Sequence, residues 1–127
     1  MRVILISLTL IIFLWGLSRA QEPGPAELIK QGQEIFANTC ADCHRLNGEG
    51  LPDKFPALNG DPYVLGDPKR VIATVLNGRH GLLGTMPTWK DKLDDNQIAA
   101  VVSYIRQAWS NRAPAVTPAM VAALRGK

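Results

Sequence analysis

Two cysteines and two histidines are all that the 127 residues contain, and His80 stands alone in a glycine-rich stretch, far from Cys40, Cys43 and His44. A structural zinc site needs four ligands brought together, so this supply argues against one. No Val/Ile-rich run precedes Cys40, which leaves a thioredoxin-like C-x-x-C without the buried strand of a βαβ unit. A disulfide between cysteines three apart would be strained and would close almost no loop. Charge of one sign is also missing. The formal +3 includes Arg2 and Arg19, and without them the 14 basic side chains become 12 against 11 acidic ones, a net of +1. Nothing in that balance argues for nucleic acid. There is no internal repeat and no low-complexity segment.

No apolar run is long enough to span a bilayer comfortably. Arg2 is followed by fifteen uncharged residues, Val3 to Leu17, against the ~20 that a transmembrane helix requires. Ser18-Arg19-Ala20 then offers small residues where a signal peptidase reads. Residues 1–20 are therefore predicted to be a signal peptide cleaved after Ala20, with an uncleaved anchor as the alternative. The protein is exported in either case, to a periplasmic or similar compartment, and membrane association would come through that segment or a partner complex. About 107 residues remain, one domain of modest core.

What the chain does have is Cys40-Ala41-Asp42-Cys43-His44. Thiols at i and i+3 on one helical turn point the same way and can form thioethers to two haem vinyl groups. The adjoining imidazole then lies where it can become the proximal iron ligand. Covalent attachment also explains how two cysteines can sit in an oxidising compartment without forming a disulfide.

The remaining pattern is helical, interrupted by loops. Leu28, Ile29, Ile35 and Phe36, around Gly32, predict a first helix from about Ala26 to Asn38 that delivers Cys40. A glycine there costs about 1 kcal/mol relative to alanine, which points to a close contact with another element. Arg45 to Gly66 is a long loop rich in glycine and proline, whose Leu51, Phe55, Leu58, Tyr63 and Leu65 can lie on a haem. Asp67-Pro68 caps a second helix ending at Asn77-Gly78. Arg79 to Lys92 reads as irregular, with Pro87 holding Met86 on a loop. Asp94 and Gln97 form a capping box for a helix to about Trp109 or Ser110, with Ile98, Val101, Val102, Ile105 and Trp109 on one face and Tyr104 beside it. Thr117-Pro118 begins a last short helix through Leu124, docking by Met120, Val121 and Leu124. Lys69, Arg70, Arg79, Lys90 and Lys92 fall close together in sequence against Asp67 and Asp91 and read as a solvated face, a local basic patch being the alternative.

With these residues in view, the chain resembles a class I c-type cytochrome over nearly its whole length after residue 20. The resemblance implies an all-α, cytochrome c-like fold: about three core helices and long loops around one covalent haem c, with the N- and C-terminal helices crossing. The cytochrome domain would cover 21–112, followed by a C-terminal extension, 113–127. In that family a proline carbonyl accepts from the proximal histidine, and Phe55-Pro56-Ala57-Leu58 implies Pro56 in this role behind His44. The family's sixth ligand is a methionine before proline, matched by Met86-Pro87-Thr88-Trp89; Met1 is lost with the leader and Met120 lies in the tail helix. His80 is the competing ligand. The family also crosses its terminal helices through a glycine and aromatics, a pattern that Gly32, Phe36, Val101 and Tyr104 fit. Arg70, Tyr63 and Trp89 are candidates to hold the haem propionates. Two strong axial ligands imply an electron carrier, not an enzyme, either free or the cytochrome subunit of a larger complex, exchanging electrons with a dehydrogenase, a reductase or a terminal oxidase. The alternative is a haem sensor or small-ligand binder with a labile Met86.

Overall fold

A computed structural model describes residues 23–127, so the predicted leader lies outside the described residues. Pro25 opens helix α1 (Pro25–Thr39), where a missing N–H costs nothing, and Leu28, Gly32 and Phe36 form its buried stripe at four-residue steps. Cys40 ends α1, and Ala41–His44 follow as a single turn, α2. Within the long loop, Asp61 accepts from the Tyr63 N–H at 2.6 Å and starts another single turn, α3 (Pro62–Leu65). Asp67 caps α4 (Pro68–Asn77), which buries Val71, Ile72, Val75 and Leu76.

The segment expected to be irregular contains an antiparallel ribbon. Strands β1 (Arg79–Gly81) and β2 (Gly84–Met86) pair His80 with Thr85 across a Leu82-Leu83 turn. Three-residue strands are too short to show an alternating pattern, and two leucines are not a turn signature, which is why the sequence reads as loop. Helix α5 (Asp95–Gln107) begins with both bonds of the expected capping box. It stops before Trp109, which turns to φ +55° and leaves the helix. Helix α6 (Pro118–Arg125) is capped by Thr117. No helix among the described residues is long and apolar enough to cross a membrane.

α1 and α5 cross in the most extensive contact of the fold, supporting the expected arrangement. A Cβ on Gly32 would overlap the Ala100 carbonyl and lie 2.7 Å from the Tyr104 Cβ, so only glycine lets the two backbones approach. The neighbour that makes it necessary is Ala100; Val101 lies alongside, buried, and faces the central cavity. The rings of Phe36, Tyr104 and Trp109 close the crossing with centroids 5.4 to 5.8 Å apart.

The tail is sewn to this frame. Val116 and Val121 are fully buried, and Ser103 and Val116 exchange hydrogen bonds at 2.9 and 3.2 Å. Arg106, only 2% exposed, donates to the carbonyls of Val64, Gly66 and Pro114 at 2.6 to 3.0 Å. Burial pulls its guanidinium below the ordinary arginine range, but that range lies so high that the charge stays.

Candidate haem-binding site

The attachment motif is wound as one tight turn. The N–H groups of Cys43 and His44 both donate to the Cys40 carbonyl, at 3.2 and 3.0 Å. Both thiols are half-buried and free, and burial, aided by the neighbouring Cys43, pushes the Cys40 thiol up to about 11. They border a cavity of about 460 Å³, within the size range of small-molecule and cofactor sites, roughly 300–1,000 Å³. Phe36, Val64, Val71, Val75 and Ile105 supply much of its apolar wall.

Five positions singled out from the sequence meet at this cavity: Cys40, Cys43, His44, Pro56 and Met86. His44 Nδ1–H donates to the Pro56 carbonyl at 3.0 Å. Burial holds the imidazole below its ordinary pKa, with the Pro56 bond working in the other direction. The neutral ring therefore has Nδ1 engaged as a donor and the Nε2 lone pair available to a metal.

The loop that carries Pro56 is tightly built. The Gly50 N–H donates to the His44 carbonyl at 2.9 Å, Leu51 pairs with Phe55, and Gly48 accepts from the N–H groups of Leu58 and Asn59. Gly50 has φ +63°, and a Cβ there would overlap the carbonyls of Phe55 and Pro56. The residues that follow α5 clamp the same loop. Trp109 Nε1–H donates to the Leu46 carbonyl at 2.9 Å, and the fully buried Asn111 holds Leu58, Gly60 and Ile105 at 2.6 to 3.0 Å. Neither Asn111 nor Arg106 was legible in the sequence, because the carbonyls of Leu58, Val64 and Gly66 that they hold are distant in sequence and have no motif.

Met86 sits at the end of β2, and the residues after it are tied to the end of α4. Thr88 Oγ1 donates to the Leu76 carbonyl at 2.6 Å, and the N–H groups of Trp89 and Lys90 reach Val75 and Leu76 at 3.1 and 3.2 Å. His80 is exposed on β1, with Nδ1 3.2 Å from Thr85 Oγ1, and does not border the cavity. Tyr63 and Trp89 do border it, whereas Arg70 does not; Arg79, not proposed for that role, does. Both guanidiniums stack on Tyr63, with Arg70 4.4 Å and Arg79 4.9 Å from the ring centroid, and the Tyr63 hydroxyl pairs with Thr74 Oγ1 at 2.8 Å. Neither arginine has a carboxylate within 4.0 Å among the described residues.

A C-x-x-C-H turn with both thiols at the cavity, an imidazole with one free nitrogen and a thioether around an apolar wall suit haem, so the fold and site define a c-type cytochrome. The particular family follows from comparison. Residues 27–105 match the model described as cytochrome C oxidase, cbb3-type, subunit III, and the chain belongs to that family, as a class I c-type cytochrome. It is 34% identical over 97 residues to the cytochrome c subunit of a quinone alcohol dehydrogenase from Gluconobacter oxydans, covering 69% of this chain and 20% of the relative. It is 32% identical over 112 residues to cytochrome c-552 of Thermus thermophilus, covering 79% and 69%. Cytochrome cL of Methylophaga aminisulfidivorans superposes with a TM-score of 0.52 at 27% identity, covering 65% of this chain and 54% of that one. The chain thus spans about a fifth of the alcohol dehydrogenase subunit.

Proposed function

We propose that this chain is an exported carrier of electrons through one covalently attached haem c, with His44 and Met86 as axial ligands. The observation that supports it most is the 3.0 Å bond from His44 Nδ1–H to the Pro56 carbonyl, which leaves Nε2 free in the cavity that Met86 also borders. When bound, the haem supplies a one-electron Fe(II)/Fe(III) couple, and a thioether opposite imidazole favours the ferrous form. Cys40 and Cys43 would tether the ring, and the single C-x-x-C-H motif of this sequence supports one haem. Pro56 fixes the His44 tautomer, and the neighbouring apolar side chains keep water from the iron. Arg79 and Tyr63, which border the cavity, would hold the haem carboxylates, with Arg70 adding positive charge on the same Tyr63 ring. With both axial positions taken by protein, the chain moves electrons and transforms no substrate.

Residues 1–20 act as the export signal, 21–112 as the cytochrome domain and 113–127 as its extension. The partners are a dehydrogenase, a reductase or a terminal oxidase, met through a small transient contact. Relatives named as a dehydrogenase subunit and the oxidase family match support this choice. The oxidised holoprotein is expected to show a sulfur-to-iron charge-transfer band that disappears in Met86→Ala. A high-spin spectrum with ready carbon monoxide binding in the unaltered protein would refute the carrier reading in favour of a ligand-binding one.

A further inference from the structure

Helix α6 of the C-terminal extension ends in Arg125, whose contacts converge on the segment between Met86 and α5. Arg125 Nε–H donates to Asp95 Oδ1 at 2.6 Å, Nη2–H donates to the Leu93 carbonyl at 2.9 Å, and Nη1–H donates to the Lys90 carbonyl. One planar guanidinium thus ties the last turn of α6 to the first turn of α5 and to two carbonyls of the segment between Met86 and α5. That segment is a compact turn of its own, with the N–H groups of Lys92 and Leu93 donating to the Trp89 carbonyl at 3.0 and 2.9 Å. Its other fastening is the end of α4, through Thr88, Trp89 and Lys90. Lys90 is where the two meet: its N–H is held by Leu76 and its carbonyl by Arg125. Helix α6 is itself seated on α4 and α5, with Val121 fully buried.

From this we infer that Arg125 is a positioning residue for the distal iron ligand: the extension clasps the Met86–Leu93 segment shut and thereby holds the thioether on the iron. The inference rests on the His44/Met86 reading. It gives the extension a task that stability of the fold alone would not require. A polar anchor fits the place, because the Lys90 and Leu93 carbonyls lie near the surface, where apolar packing could not fix their direction. The link between clasp and ligand is short, since Pro87, Thr88 and Trp89 are all that separate Met86 from Lys90. Loosening the clasp enlarges the fraction of molecules with Met86 off the iron, and an added ligand binds more tightly in proportion to that fraction.

The test is imidazole titration of the full-length oxidised holoprotein, read by its visible spectrum, in the unaltered chain and in Arg125→Ala, Arg125→Lys, Met86→Ala and Leu28→Ala. Arg125→Ala is expected to bind imidazole about tenfold more tightly, in line with one lost charge-assisted anchor. Arg125→Lys recovers part of the effect, since an ammonium can hold Asp95 but not both carbonyls in one plane. Leu28→Ala, in α1 away from the clasp, lowers thermal stability and leaves imidazole affinity unchanged. An equal rise in Leu28→Ala, or none in Arg125→Ala while Met86→Ala tightens binding, would overturn the clasp alone. Equal binding in Met86→Ala and the unaltered protein would overturn the ligand reading and the clasp with it.

Discussion

Replacing Gly32 by alanine sets two physical effects against each other. Helix propensity alone favours the change by about 1 kcal/mol, because alanine loses less backbone freedom than glycine. The structure opposes it. The new Cβ would lie 2.7 Å from the Tyr104 Cβ, where ordinary contact begins at 3.4 Å, and would overlap the Ala100 carbonyl. The obstacle is backbone and a Cβ, neither of which can rotate away, so α1 and α5 must separate by the missing 0.7 Å or more. A gap of that order forfeits roughly a quarter to a half of the dispersion energy between facing atoms, here in the contact that also holds Phe36 against Tyr104 and Trp109. Overpacking of this kind costs about 3 kcal/mol at the upper end of its usual range. After the propensity gain, about 2 kcal/mol of destabilisation remains. For a domain of this size that corresponds to a fall in Tm of about 10 °C, measured on the holoprotein by circular dichroism at matched haem content. An unchanged or raised Tm would mean that the close crossing is not what requires glycine at this position.

Asn111→Ala is expected to cost about 2–4 kcal/mol in denaturant unfolding, because the Gly60 N–H and the Leu58 and Ile105 carbonyls lose their side-chain partner together. A cost below about 0.5 kcal/mol would show the clamp to be dispensable. Pro56→Ala keeps the backbone carbonyl that His44 uses, so exchange of the His44 Nδ1–H, followed by NMR in the ferrous holoprotein, should change by no more than about twofold. Gly50→Ala, which disturbs that carbonyl through a positive φ and direct overlap, should speed the same exchange about tenfold. The reverse order of the two variants would refute the positioning role given to Gly50. Loss of the charge-transfer band in Met86→Ala and tighter imidazole binding in Arg125→Ala test the two ligand-side inferences in the same holoprotein.

Signals confined to a few consecutive residues were legible without the fold. Cys40, Cys43 and His44 need only one helical turn to act together; Asp94 and Gln97 cap α5 from within its own first turn, and Asp67-Pro68 starts α4 likewise. Gly32 announced a close contact by its cost, and the approach of α1 to Ala100 is that contact; Pro56 and Met86 came from the resemblance, and both border the cavity that His44 borders. The fold class followed from helical spacing and that same resemblance.

The sequence by itself therefore determined the attachment turn, the main helices and the chemistry they can hold. Only the tertiary structure decided how the two halves of the site are kept in place. Asn111 is joined to Leu58, Arg106 to Val64 and Arg125 to Lys90, each across dozens of residues and each through a backbone carbonyl. A carbonyl is present at every position, so no residue type marks which one will be chosen. The same holds for Trp109, whose helical spacing predicted a place on α5 but whose indole bond to Leu46 and packing on Phe36 draw it off the helix. Interactions within a turn are selected by covalent neighbourhood, whereas these exist only once the crossing of α1 and α5 has brought the partners together.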